Sequence, residues 1–186
     1  MMRLSEAAAM LGVPFSGSDA EVLRVSTDSR SIQPGDLFIA LRGDKFDGGS
    51  FAAQALQQGA AGLVLDHRQA PELASAIRVD DTRLALGQLA AAWRRRFAIP
   101  VIAITGSNGK TTVKEMLAAI LRIEAGADDA VLSTEGNLNN DIGLPLMLLR
   151  LRETHHFAVL EMGMNHAGEI DYLTNLAHPD VAVINN

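Results

Sequence analysis

The chain has 186 residues, 48% hydrophobic and 4% aromatic, enough apolar surface for a core built mainly from Leu, Ala, Ile and Val. It has no cysteine, which excludes a disulfide framework, a thiolate metal site and a cysteine nucleophile. The net charge of -6 argues against a general nucleic-acid binder, so an anionic ligand must be held by local groups rather than by the overall field.

The first residues lack a secretory apolar region, and no apolar run approaches the ~20 residues of a membrane span. A cytoplasmic protein with no transmembrane segment is the expectation. Ser5 to Leu11 reads as a short helix, capped by Ser5 and ended by Gly12. Val22 to Ser26 alternates like a strand. Thr27-Asp28-Ser29-Arg30 and Gln33-Pro34-Gly35-Asp36 are turn signals. Asp36 to Leu41 is a strand, and Arg42 to Gly49 a charged, glycine-rich loop. Ser50 to Gln58 is a helix, and the segments from Ala61 to Leu65 and from Ile77 to Val79 are short strands. These make a small α/β unit over residues 1–81. The loops Thr27 to Arg30 and Arg42 to Gly49 could hold a ligand, but their spacing alone favours solvated turns.

Thr82 to Phe97 is a helix with Leu84, Leu86, Leu89, Ala90 and Trp93 on its apolar side, and it leads into a second unit over residues 82–186. Arg94-Arg95-Arg96 closes it as a solvated cationic end. Then follows Val101-Ile102-Ala103-Ile104-Thr105-Gly106-Ser107-Asn108-Gly109-Lys110-Thr111-Thr112. The apolar run reads as a strand buried on both faces, and the glycines let backbone N–H groups approach a phosphate. The next helix, Thr111 to Arg122, points its positive end at the same place, and Val113, Met116, Leu117, Ile120 and Leu121 are expected to face the sheet. The loop is shorter than G-x-x-x-x-G-K-[ST], but strand, glycines, lysine, threonine and helix are in register. Gly106 to Thr112 should therefore bind nucleotide, with Lys110 on the β- and γ-phosphates and the Thr111 hydroxyl on Mg²⁺.

Residues 130–133 are a short strand. Thr134 to Pro145 carries Asn137, Asn139 and Asn140, either a ligand-facing loop or a capped turn before a helix from Leu144 to Leu151. His156 to Leu160 is an apolar strand that delivers Glu161 to its carboxyl end, where a carboxylate beside a phosphate loop can bind Mg²⁺. His166 could contact substrate or cap the helix Gly168 to Ala177. His155 and His178 read as surface histidines. Residues 180–186 read as a strand just reaching its carboxyl end, which suits the N-terminal part of a longer polypeptide.

Several motifs together resemble the Mur ligases, the peptidoglycan-precursor amino-acid ligases. Thr105 to Thr112 is similar to their ATP loop. Gly136-Asn137-Leu138-Asn139-Asn140 with Gly143-Leu144-Pro145-Leu146, and Glu161-Met162-Gly163 with Asn165-His166, look like the member that joins D-alanyl-D-alanine to a UDP-N-acetylmuramoyl-tripeptide. Thr27-Asp28-Ser29-Arg30, Gly35-Asp36-Leu37-Phe38 and Asp47-Gly48 resemble the UDP-precursor domain. Gly49 departs from the pattern, which usually has histidine there, and Met147 and Met164 replace smaller residues.

The resemblance implies an α/β architecture: a small substrate domain, residues 1–81, then part of a mostly parallel ATP-binding sheet with flanking helices, residues 82–186. It implies an ATP- and Mg²⁺-dependent ligase acting as a monomer on the UDP-tripeptide and D-alanyl-D-alanine through an acyl phosphate. Lys110, Glu161 and His166 would be catalytic. Gly106, Ser107, Asn108, Gly109, Lys110, Thr111, Thr112 and Asn137 would hold nucleotide, and Thr111 and Glu161 the metal. Ser29, Arg30, Lys45, Asp47, Gly48, Asn139, Asn140 and Asn165 would contact substrate. Another Mur or folylpolyglutamate-type ligase, a regulatory GTPase without a guanine-reading N-K-x-D motif, and a non-catalytic nucleotide-binding fragment remain alternatives.

Overall fold

A computed structural model describes residues 1–43, 46–70, 73 and 76–186. The chain divides into two compact units, Met1–Leu89 and Ala90–Asn186.

In the first unit, β1 (Met2–Arg3) runs into α1 (Leu4–Met10) and pairs antiparallel with β2 (Glu21–Val22). Ser5 does not cap α1. The carboxylate of Glu6 accepts from the Arg3 N–H, while the Ser5 hydroxyl donates to Asp19. The expected strand Val22 to Ser26 is split, with β3 beginning at Arg24 (Arg24–Ser26). Leu23 lies at the break, exposed, its N–H donating to the Gly35 carbonyl.

Next come β4 (Asp36–Ile39), the short hairpin β5 (Arg42–Gly43) and β6 (Phe46–Asp47), α2 (Ala52–Gln57), β7 (Gly62–Asp66) and β8 (Ile77–Val79). The sheet β3-β4-β7-β8 is parallel throughout. Phe38, Leu63 and Leu65 pack with Ala52 and Ala55 of α2 to form the core on one face. Such strands are buried on both faces, which is why they read as apolar runs rather than alternations. Polar groups that enter the core are paired: Asp36 is buried and accepts from the Arg24 guanidinium at 2.9 Å. The Arg78 guanidinium donates to the carbonyls of Asp66, Gln69, Ala70 and Leu73, satisfying a turn that the backbone alone leaves open.

The helix α3 (Thr82–Arg94) crosses from one unit to the other. Leu86, Leu89, Ala90 and Trp93 are buried as their spacing requires, whereas Leu84 is exposed. The second unit continues with β9 (Val101–Gly106), α4 (Lys110–Ala125), β10 (Val131–Ser133), α5 (Gly143–Leu148), β11 (Phe157–Glu161), α6 (Glu169–Ala177) and β12 (Val181–Asn185). The order β10-β11-β9-β12 is all parallel, so the chain crosses β9 between β11 and β12 and leaves a crevice at the carboxyl ends of the strands.

The sheet-facing side of α4 matches the expected one at Val113, Leu117 and Leu121 but not at Met116 and Ile120. Val113, Leu117, Ala118 and Leu121 pack on Ile104, Val131 and Val159, while Met116 and Ile120 are 62% and 61% exposed. A helix has one rotational setting, and here the side that carries Thr111, Lys114 and Ala118 faces the sheet.

Arg94 is also corrected. It is not a solvated helix end but only 7% exposed, donating to the carbonyls of Ala177 at 3.0 Å and Phe97 at 2.6 Å. Burial lowers its pKa, and Asp180 opposes that shift. Arg94→Ala would strand these acceptors and is expected to destabilise the unit by about 2–3 kcal/mol. Arg95→Ala, on the exposed side, should change stability by no more than about 0.5 kcal/mol. Denaturant melts of the two variants measure this, and equal losses would refute the strut role.

Candidate functional site

The register of the sheet sets the site. Glu161 ends β11 opposite Ile104 of β9, and the loop that leaves β9 turns directly into α4. Gly106 sits at φ 137°, and a Cβ there would stand 1.6 Å from the carbonyl oxygen of Asn185. Only glycine allows β12 to run this close to the loop. Asn185 also donates its side-chain amide to the Asn108 carbonyl at 2.9 Å. Lys110 folds back over the loop, its Nζ donating to the Gly106 carbonyl at 2.8 Å. Ser107, Asn108, Gly109 and Thr112 are exposed at the same end of the sheet.

Glu161 is 4% exposed. One carboxylate oxygen accepts from the Thr111 hydroxyl and the other from the Asn139 side-chain amide, each at 2.8 Å. Its backbone N–H donates to the Thr134 hydroxyl at 2.8 Å. Among the described residues no lysine, arginine or histidine forms an ion pair with it. A carboxylate withdrawn from water, with two neutral donors and no counter-cation, is a costly arrangement that a hard cation would relieve. Among the described residues no three His, Asp or Glu side chains cluster as a metal cage. Thr111 and Glu161 could hold a hard cation that takes only one or two protein oxygens.

The structure brings Thr111, Asn139 and Glu161 together, and places Lys110 on the adjoining loop. Asn139 orients the carboxylate rather than facing outward. Asn140 accepts from the N–H groups of Ile142 and Gly143 and caps α5, so the segment is a capped turn as well as a site loop. Asn137 is exposed, its carbonyl accepting the Asn139 N–H. His166 is turned away onto Glu169, at 2.9 Å, and its side chain is largely exposed. The Asn165 N–H also donates to Glu169. Sequence reasoning missed Lys114, Thr134 and Asn185. Only Lys114 carried a signal, lying three residues beyond Thr111 on the same helix face.

In the first unit, Thr27, Asp28, Ser29, Arg30, Phe38, Phe46 and Phe51 line a cavity of about 490 Å³ at the carboxyl end of the sheet. Phe46 and Phe51 stack at 5.9 Å. Arg30 points to solvent, bonded to Asp28, and holds that carboxyl down at about 2. Lys45 lies outside the described residues. Asp47 serves the backbone, accepting from the Gly49 N–H at 2.8 Å and from the Gln69 amide at 2.6 Å. Gly48 is buried, its N–H on the Leu41 carbonyl. A Cβ at Gly49 would stand 2.6 Å from that of Gln69, so the glutamine occupies the space a histidine would need.

The description "Mur ligase family, catalytic domain" matches residues 21–94, and "Mur ligase middle domain" matches residues 104–186. The chain is 46% identical to a UDP-N-acetylmuramoyl-tripeptide–D-alanyl-D-alanine ligase of Haemophilus influenzae, over 100% of this chain and 41% of that protein. It superposes on MurF from Acinetobacter baumannii with a TM-score of 0.83 at 42% identity, covering 97% of this chain and 40% of the other. Its similarity to the MurF ligase of Thermotoga maritima in complex with ADP gives 0.77 at 35% identity, covering 87% and 36%. The chain thus spans about two fifths of the length of the relatives it matches. Among the described residues no helix is long and apolar enough to cross a membrane.

The turn before α6 is organised by one carboxylate. The Asn165 N–H, followed by the His166 side chain and N–H, lowers the Glu169 pKa from 4.5 to about 2. A depressed folded pKa means that this bonding contributes fully above the ordinary value and is lost as pH falls through about 2. The Glu169 carboxyl should therefore titrate near pH 2 by NMR, with the Asn165 amide shift following it. A midpoint at 4.5 would show that the turn does not hold the carboxylate.

Proposed function

The chain belongs to the Mur ligase family, and from that premise we propose that it carries the nucleotide site and the UDP-precursor pocket of an ATP-dependent ligase. The reaction adds D-alanyl-D-alanine to UDP-N-acetylmuramoyl-tripeptide through an acyl phosphate. The enzyme acts in the cytoplasm as a monomer. The observation that carries this reading is the buried Glu161 carboxylate, bonded to Thr111 at the start of α4 beside the Gly106–Lys110 loop and, among the described residues, in no ion pair with a lysine, arginine or histidine.

The tripeptide carboxylate attacks the γ-phosphorus, the bond to the β-phosphate oxygen breaks, and ADP leaves. The D-alanyl-D-alanine amine then attacks the acyl carbon; phosphate departs and the nitrogen gives up a proton. The protein's part is positioning and charge stabilisation. N–H groups of residues 106–109 cradle the phosphates, aided by the positive end of α4 and by Thr112. Lys110 releases the Gly106 carbonyl and moves its ammonium onto the γ-phosphoryl. Thr111 and Glu161 hold Mg²⁺, which when bound would offset charge on the phosphate oxygens. Asn139 keeps the carboxylate in its orientation.

Asn137 and Asn140, exposed on the same loop, stand toward nucleotide and substrate, and Asn165 and His166 line the approach from α6 once Glu169 gives up the imidazole. Ser29, Arg30, Phe46 and Phe51 hold the UDP end of the precursor: a stacked aromatic pair suits a flat base, and an exposed guanidinium suits a diphosphate. Asp47 and Gly48 support that pocket through its backbone.

In the intact protein Lys110→Ala is expected to lower turnover at least ~10²-fold, the scale for losing a positioned charge stabiliser. Near-normal turnover would remove that role. Glu161→Ala should flatten the Mg²⁺ dependence of ATP binding in calorimetry, and an unchanged metal titration would count against the shared cation. A panel of amino-acid and dipeptide acceptors distinguishes this ligase from others of its family by which amine is joined.

A further inference from the structure

Lys114 is a buried charge beside the nucleotide site that the site does not use directly. It lies one turn beyond Thr111 on α4 and is 2% exposed. Its Nζ donates to the Thr134 carbonyl at 2.6 Å and meets the Glu115 carboxylate at 2.7 Å. Thr134 is itself 1% exposed, and its three polar groups are all engaged. Its N–H donates to the Val159 carbonyl at 3.1 Å, its hydroxyl accepts the Glu161 N–H, and its carbonyl takes Lys114. The side-chain carboxylate of Glu161 returns to α4 through Thr111. The result is a closed circuit from α4 through Thr134 and Glu161 back to α4. Lys114 fixes the backbone end of Glu161 and Thr111 the carboxylate end.

Burying an ammonium is expensive even with the half-exposed Glu115 carboxylate beside it, and an apolar residue would fill the same core position at no such cost. Packing therefore does not account for a lysine here. We propose that Lys114 is a positioning residue for the metal carboxylate. Through Thr134 it holds the end of β11 at the one offset from α4 at which Glu161 and Thr111 can share a divalent cation. This inference rests on the nucleotide reading above and adds to it the residue that sets cation affinity from outside the site.

The test compares ATP binding by calorimetry in the intact protein, with Mg²⁺ and with EDTA, for wild type, Lys114→Met and Lys114→Arg. A wild-type protein that binds no ATP under either condition overturns the nucleotide reading itself. With wild-type binding established, Lys114→Met should weaken the Mg²⁺-dependent part of the affinity about 10-fold, the low end for losing a partner outside the ligand shell. Affinity in EDTA should stay at the wild-type value, and Lys114→Arg should recover most of the loss. A Lys114→Met protein that keeps its Mg²⁺ response, or that loses affinity equally in both conditions, overturns the proposal. Should that variant not fold, Thr134→Val decides: it keeps the shape but removes the hydroxyl that accepts the Glu161 N–H. Selective loss of the Mg²⁺ response, with faster hydrogen exchange at the Glu161 amide, supports the circuit, and an unchanged response refutes it.

Discussion

The hydrogen bond between the Thr111 hydroxyl and the Glu161 carboxylate is the constraint from which much of the second unit follows. It joins the first turn of α4 to the last residue of β11, two elements 50 residues apart in sequence. Once Thr111 faces the sheet, helical geometry dictates which later residues do so too. Lys114 and Ala118 turn inward with it, and Met116 and Ile120 turn out. The helix is oriented by its polar end, and its apolar residues accept the setting this leaves them.

The first unit achieves a similar result by other means. The turns beside its cavity are held by side chains that serve the backbone. Asp47 caps the turn after β6, Gln69 braces Asp47, and Arg78 gathers the carbonyls of the following turn. The cavity is lined by residues 27–30 with Phe38, Phe46 and Phe51, and Asp47 and Gln69 brace the turn that follows Phe46. The substitution of glycine for the family's histidine at position 49 belongs to this bracing, because Gln69 fills the space beside it.

Much of the architecture was legible because parallel strands announce themselves as apolar runs and because the glycine-lysine-threonine stretch follows one of them. Strands at 77–79 and over the apolar run 101–104 and the placement of Glu161 needed no tertiary information. The failures have a common cause. Hydrophobicity alone places Leu84, Met116 and Ile120 inward, and charge alone places Arg94 outward. Periodicity reports that a helix has faces, but not which face wins when a polar contact sets its rotation. The roles of Asn139 and Asn140 were ambiguous for a related reason. An asparagine side chain caps a helix or holds a carboxylate with the same chemistry, and only the fold decides what stands opposite it.

The close passage of Asn185 over Gly106 has a consequence for how the molecule comes into being. Seventy-seven residues separate Asn185 from Asn108, whose carbonyl it clasps. Contacts so distant along the chain form late, since the loop between must be closed before they give anything back. A ribosome has therefore long since released β9 before the strand that braces its loop emerges. In that interval the Asn185 amide is not yet there to clasp the Asn108 carbonyl, so the bracing of the glycine-rich turn arrives with β12 rather than with the motif that precedes α4.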